Sequence, residues 1–384
     1  MQERSFGGKV LVTGAAGHLG ANLVHRLVAD GHDVRVLLRQ GSNNGAVEGL
    51  DVERVFGDLR DLEATRRAAK GVETVYHCAA LVSTVEADEQ LRREIWECNV
   101  LGTQNILRAS LESGVKRAVV TGSFSAVGYD SDNPEKPANE RQPFYPFDEH
   151  LPYGHTKNLV ELETLRAMAD GLDVVIATSC AILGPNDHKP SRMGRTLCDF
   201  ANGNLPAYLP GGFEFVAARD IVEGHVLAMR RGRTGQKYVI STRFMTVDDL
   251  MELFEEVSGR PRPRFRLDPR VMAGVAEVSS RVMSTFFPDA PQRFTPAAVR
   301  ILRQQRRADT TKARTELGFV PGSLRRAVHE AYADFARRGL VPARKAVTDA
   351  LASADAWSAP EAEPRTARAS STTDASTTDA SAAG

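Results

Sequence analysis

The segment Val10-Leu11-Val12-Thr13-Gly14-Ala15-Ala16-Gly17-His18-Leu19-Gly20 decides how this chain folds. Lys9 to Thr13 is a short apolar run, which predicts a buried strand. Gly20, Leu23, Val24 and Leu27 then recur at helical spacing, so a helix leaves the glycine turn. Asp33 to Leu38 is the next strand. Strand, turn, helix and strand within about 30 residues form the unit that builds a parallel sheet. Gly14 permits the tight turn out of the strand, Gly17 lets the backbone approach a pyrophosphate, and Gly20 lets helix and strand pack closely. The first helical turn, His18 to Gly20, offers N–H groups and the positive end of the helix dipole to phosphate oxygens. Three glycines alone are a weak signal. Their place between a strand and an amphipathic helix is what points to a dinucleotide.

The alternation continues. Strands are expected at Val52 to Phe56, Thr74 to Tyr76, Arg117 to Thr121 and Asp173 to Thr178. Helices are expected at Leu62 to Ala69, Glu89 to Ser113 and Tyr153 to Ala169. This predicts an α/β fold, a doubly wound parallel Rossmann sheet, over residues 1–180. Tyr129 to Pro152, rich in Pro, Asp, Asn and Glu, reads as a long loop where a substrate would enter. Past Gly184-Pro185 the elements are shorter and mixed. Thr246 with Asp249 three residues later marks a helix start. Val271 to Phe287 is an apolar, helical stretch that suits a substrate lid, and 308–337 holds two short helices, the second after Ser323. Residues 181–340 are therefore read as a smaller C-terminal substrate-binding region, with some elements returning to the main sheet. Residues 345–384 contain Ser-Thr-Thr-Asp-Ala twice in succession and are expected to be a disordered tail.

Lys+Arg and Asp+Glu both number 49, which removes any electrostatic case for a nucleic-acid partner or an anionic membrane. No apolar run approaches the ~18 residues of a spanning helix, and no signal peptide is visible at the start. The four cysteines form no Cys-x-x-Cys pair, so no metal site or disulfide framework is suggested and a reducing cytoplasm is expected. Arg far outnumbers Lys, and with abundant Ala and Gly this fits a GC-rich bacterial genome.

Arg39 follows the second strand, where an NAD-binding unit carries an acidic residue for the ribose 2′-hydroxyl. Arginine suits a 2′-phosphate instead, with Gln40, Gly41 and Ser42 beside it, so NADP(H) is favoured and NAD(H) stays open. Ser123, read as lying just past the fifth strand, could polarise a carbonyl; Ser125 is the competing hydroxyl. Tyr153 and Lys157 are four residues apart and share a helix face. An ammonium beside a phenol lowers its pKa, giving a proton donor or acceptor usable near neutrality.

Jointly, Thr13 to Gly20, Gly57-Asp58-Leu59, His77-Cys78-Ala79-Ala80, Asn99-Val100-Leu101-Gly102-Thr103, Ser123, Tyr153/Lys157 and Gly184-Pro185 resemble the extended short-chain dehydrogenases/reductases over about residues 8–340. Val34 to Arg39, Arg219-Asp220-Ile221-Val222 and Glu316-Leu317-Gly318-Phe319 are most similar to the dihydroflavonol 4-reductase-like and 3β-hydroxysteroid dehydrogenase-like branch. The resemblance implies that Asp58, with Leu59, lies at the adenine and that Ala79-Ala80 lines the cofactor cleft. It implies that Asn99 supports the site through water and that helices near 90–113 and 153–169 can form a homodimer interface. Phe124-Ser125 stands where nucleotide-sugar dehydratases carry Asp-Glu, and Thr178 to Leu183 lacks the Asn that holds a sugar diphosphate. The expected activity is an NADP-dependent reductase or dehydrogenase acting on a ketone or secondary alcohol of a fairly apolar small molecule. The alternatives are a nucleotide-sugar epimerase with tightly bound NAD and a non-catalytic NADP-sensing protein.

Overall fold

The computed structural model describes residues 3–83, 89–145, 152–266 and 301–344. Strands β1 (Val10–Thr13), β2 (Val34–Leu38), β3 (Glu53–Phe56), β4 (Thr74–His77), β5 (Arg117–Ser123) and β6 (Val174–Ser179) come first. Between them run α1 (His18–Ala29), α2 (Leu62–Ala69), α3 (Glu89–Trp96), α4 (Gly102–Glu112) and α5 (Pro152–Ala169). The chain continues through β7 (Ala181–Leu183), α6 (Arg192–Ala201), β8 (Ala207–Tyr208), β9 (Gly212–Ala217), α7 (Ala218–Arg231) and β10 (Lys237–Ile240). It ends with β11 (Arg243–Thr246), α8 (Val247–Ser258), β12 (Phe265–Arg266) and α9 (Leu324–Arg337).

The main sheet has seven strands in the order β10-β6-β5-β4-β1-β2-β3, every neighbouring pair parallel. Winding proceeds outward in both directions from β1, so the order reverses between β1 and β4. All strand carboxyl ends share one edge, and a crevice opens there at the reversal. Strand residues are apolar on both faces, as a parallel sheet covered by helices requires. Val10, Val12, Val34 and Val36 meet Leu23 and Leu27 of α1 and Val222 and Val226 of α7. Leu11, Val75, Ala118 and Val120 meet Ala68, Ile106 and Val160 of the opposite layer. Each buried Val, Leu or Ile among these contributes about 1.5–3 kcal/mol.

After β6 the chain leaves the main sheet. β7, β9 and β11 form a three-stranded sheet, and α6, α8 and α9 close a second core over it around Leu197, Phe200, Phe254 and Tyr332. The Thr246–Asp249 capping box starts α8 as its sequence indicated, and Ser323 caps α9.

Three expectations change. The single helix at 89–113 is α3 and α4 joined by a π-helical turn, Glu97–Leu101, closed by Gly102 N–H donating to the Glu97 carbonyl. β5 runs through Ser123, which is therefore its last residue rather than the first of a loop. In 308–337 the first helix is only a π turn, Ala313–Leu317, ended by Gly318 in the left-handed conformation. Residues 129–145 are irregular apart from one bridge, Ala138 to Ala308. Val271 to Phe287 and 345–384 lie outside the described residues.

Candidate active site

Gly14 leaves β1 with φ of 73°, and a Cβ there would sit 2.6 Å from the Ala79 backbone. A Cβ on Gly20 would sit 2.2 Å from the Gly14 carbonyl oxygen. Only glycine at these two positions lets the turn, α1 and the Ala79-Ala80 segment after β4 close on one another. α1 begins at N-cap Gly17 with no side-chain cap and no acidic residue in its first turn. The amides of His18, Leu19 and Gly20 thus have neither an intrahelical partner nor a capping side chain. This cradle, free of side chains and positive in field, fits a pyrophosphate, so the chain's own backbone suits a dinucleotide cofactor. The Leu19 side chain itself is buried in the core, and His18 Nε2 donates to the Gly184 carbonyl at 3.2 Å.

Behind the loop a buried polar relay fixes the strand ends. The Thr103 hydroxyl donates to the Asn99 carbonyl at 2.5 Å, so it accepts from His77 Nε2–H at 2.9 Å. His77 Nδ1 then accepts from the Thr13 hydroxyl at 2.7 Å. Burial, with a smaller contribution from Lys157, lowers His77 to about 3, which keeps it neutral in this role. Asn99 bolts three pieces together. Its Oδ1 accepts from Leu81 N at 2.7 Å, and its Nδ2 donates to Leu81 O at 3.0 Å and to Thr156 Oγ1 at 3.1 Å. The π turn is what presents Asn99 this way, since π turns displace a residue from the ordinary helical ladder and recur at functional sites.

Ser123, 8% exposed, lies at the Tyr153 phenol, where its hydroxyl acts to lower the phenol's pKa. Ser125 is exposed and only donates its amide to Ser123 Oγ at 3.2 Å. Of the two candidate hydroxyls, the structure therefore brings Ser123 to the tyrosine. Lys157 is 3% exposed, and its Nζ donates to the Thr121 carbonyl on β5 at 2.5 Å. Burial lowers it to about 8, opposed by Glu161 and Cys78. Tyr153, half-buried, departs from expectation. Burial raises its phenol above the ordinary value, opposed by the Ser123 hydroxyl. Withdrawal of both groups from water disfavours each charge, and the ammonium is spent on the Thr121 carbonyl rather than aimed at the phenol alone. His225 supports the same strand: its Nδ1–H donates to Ile221 O and its Nε2 accepts from Thr121 Oγ1, both at 2.8 Å.

At the β2 end, Arg39 to Ser42 and Phe56 to Asp58 line an open cavity of about 600 Å³. The Asp58 carboxylate takes Arg60 Nε at 3.0 Å and Nη2 at 2.8 Å, which holds it below the usual carboxylate range. Leu59 packs on the inner side of this loop. Its side chain is buried against Gly102, and its carbonyl accepts from Asn105 Nδ2 at 2.9 Å, so it anchors the Asp58 loop from the core. Two groups were not singled out for this site from the sequence. His77 was legible only as part of a motif. Lys189, whose Nζ donates to Ser42 Oγ at 2.7 Å, is 147 positions away in sequence. Among the described residues no cluster of side chains could hold a metal ion, and no helix is long and apolar enough to cross a membrane.

Residues 10–241 match the family described as the NAD dependent epimerase/dehydratase family. Sterol demethylase protein B of Methylococcus capsulatus is 42% identical over 331 residues, covering 86% of this chain and 99% of that protein. The 3 beta-hydroxysteroid dehydrogenase/Delta 5-->4-isomerase of Mycobacterium tuberculosis is 28% identical over 342 residues, covering 82% and 86%. The crystal structure of gox2253 superimposes with a TM-score of 0.74 at 32% identity, over 86% of this chain and 99% of that one.

Proposed function

The chain belongs to the NAD dependent epimerase/dehydratase family, and on that premise we propose that it is an NADP-dependent dehydrogenase/reductase. Its reaction interconverts a secondary alcohol and a ketone on an apolar small molecule of the sterol class. The observation that carries this reading is the meeting of Ser123, Tyr153 and Lys157 at the carboxyl end of β5. A nicotinamide, when bound, supplies the hydride acceptor or donor. Ser123 donates a hydrogen bond to the substrate oxygen and polarises it. Tyr153 Oη gives that oxygen a proton in reduction and takes one in oxidation. Lys157, held on the Thr121 carbonyl, supplies the positive field that stabilises phenolate and would hold the nicotinamide ribose hydroxyls.

Residues 1–180 would bind the dinucleotide through Gly14, Gly17, the first-turn amides, Asp58 and Ala79-Ala80, with Asn99 positioning α5. Arg39 at the open end of β2 supports NADP over NAD. Residues 181–340 would cover the substrate. Cys180 and Ile182, partly buried and apolar, support a non-sugar substrate, as do the names of the sterol and hydroxysteroid relatives. Trp96 of α3 and Leu159, Leu162 and Leu165 of α5 are exposed; an apolar surface along these helices supports a homodimer.

The test measures oxidation of a panel of 3β-hydroxysterols and reduction of the matching ketones, with NADPH/NADP and NADH/NAD. Tyr153→Phe should lose about 10²- to 10⁴-fold in kcat, the usual worth of a positioned general acid, and keep its cofactor affinity. Turnover at the wild-type rate would remove Tyr153 from the mechanism. Protein purified with bound NAD and indifferent to NADPH would favour the epimerase instead.

A further inference from the structure

The segment after β7 crosses back over α1 and reaches the cavity at the end of β2. Its course is set by four contacts. Gly184 O accepts from His18, and Asn22 Nδ2 donates to Pro185 O at 2.8 Å. Asn186 Nδ2 donates to Asn22 Oδ1 at 3.2 Å, and His188 lies against Gly45. Lys189 is thereby delivered to Ser42, with its Nζ 2.7 Å from the hydroxyl. Partial burial, and after it the charge of Arg39, lowers the proton affinity of Lys189. Among the described residues neither cation forms a salt bridge, while the nearby Asp58 carboxylate is taken up by Arg60. Lys189 thus reaches, through Ser42, the rim of the opening that Arg39, Ser42 and Asp58 line, and the Asp58 carboxylate there is held by Arg60 rather than by either cation. Like charges so placed repel, and a doubly charged anion would relieve the repulsion. An ammonium, a guanidinium and a hydroxyl are also the donors that surround phosphate oxygens.

We infer that Lys189, with Arg39 and Ser42, recognises the 2′-phosphate of the cofactor and is a specificity-determining residue supplied from outside the nucleotide-binding half. This rests on the NADP reading given above. Lys189 belongs to the chain that leads into α6, so the phosphate would tie the two parts of the molecule together.

Calorimetric titration with adenosine 2′,5′-bisphosphate and with adenosine 5′-monophosphate tests this without any turnover. Wild type should bind the bisphosphate more tightly. Lys189→Met should weaken the bisphosphate by about tenfold, the worth of one hydrogen bond to a charged group, and leave the monophosphate unchanged. Ser42→Ala should shift in the same direction by a smaller factor. If wild type does not distinguish the two nucleotides, the NADP reading fails. If wild type distinguishes them and Lys189→Met still does so equally well, that reading stands and the role of Lys189 is overturned. Equal weakening of both nucleotides by Lys189→Met would also overturn it, since the lysine would then not be reading the 2′ position.

Discussion

The two edges of the central sheet treat charge in opposite ways. At the amino edge, where strands begin, charges are matched side to side. Lys9 before β1 meets Asp33 at 3.0 Å and Glu53 at 2.7 Å, Lys116 before β5 meets Glu73 at 2.6 Å, and Arg117 meets Asp173 at 3.1 Å. At the carboxyl edge Arg39, Lys157 and Lys189 have no salt-bridge partner among the described residues, while Arg60 pairs with Asp58 and Glu97. Hydroxyls, carbonyls and bare backbone amides fill that edge instead. Matched charge closes one end of the sheet, and unmatched charge over a glycine cradle leaves the other end able to accept an anion. If the edges divide labour in this way, breaking the buried pairing at the first should cost stability and spare ligand affinity, and removing the unpaired cations at the second should cost affinity and spare stability.

Arg117→Ala gives the largest expected effect. The guanidinium is fully buried and also donates to the Gly232 carbonyl and, at 3.5 Å, to Ala228 O at the end of α7. Its removal leaves a cavity in the core and takes a donor from the Gly232 carbonyl, while Asp173 keeps Arg4 and Thr234, and should cost about 3–5 kcal/mol in urea unfolding. Nucleotide affinity of the folded fraction should not move; a proportionate loss of affinity would join the two edges.

Acid separates them next. His77 and His225 are buried neutral, at about 3 and about 4, below the ordinary value near 6.5. Between pH 6.5 and 4 the unfolded chain binds protons that the folded chain does not. Stability is therefore complete above pH 6.5 and falls below it by about 1.4 kcal/mol per pH unit for each histidine. Glu53 and Glu73 at the amino edge are held below the usual carboxylate range by Lys9 and Lys116, so their contribution is lost only under pH 4.5. Urea midpoints flat from pH 7 to 5 would contradict the buried relay.

Asn99→Ala should cost about 1–3 kcal/mol, because the Leu81 amide and carbonyl lose their partner inside the protein. It should also lower kcat by displacing α5, and an unchanged kcat would confine Asn99 to packing. Lys116→Ala has the smallest effect. Its pair with Glu73 is solvent-exposed on the lysine side, so about 0–1 kcal/mol is expected by thermal or urea unfolding.

Much of this was written locally in the chain. The glycine run, the strand alternation and the places of Ser123, Tyr153 and Lys157 follow from short-range pattern, because each depends on neighbours within one β/α unit. The burial of Leu59 was not legible because apolar residues in a motif can serve the core behind it. The π turn at Asn99 was invisible because an α-helical spacing and one extra residue share the same composition. Lys189 could not be found from sequence, since its meeting with Ser42 depends on how the chain recrosses α1. The direction of the Tyr153 shift depends on burial, which spacing does not encode.

The turn at Glu97–Leu101 also sets a rotational phase. Each helical residue advances the side-chain direction by about 100°. Excising one residue there would let α3 and α4 fuse into a regular helix and swing everything before the cut by that angle relative to α4. Ile95 would be turned to the exposed direction Trp96 now has and Glu94 to the core, and the helix would dial its own surface away from α5. The turn therefore works as a one-residue vernier, and a deletion there should be felt along all of α3.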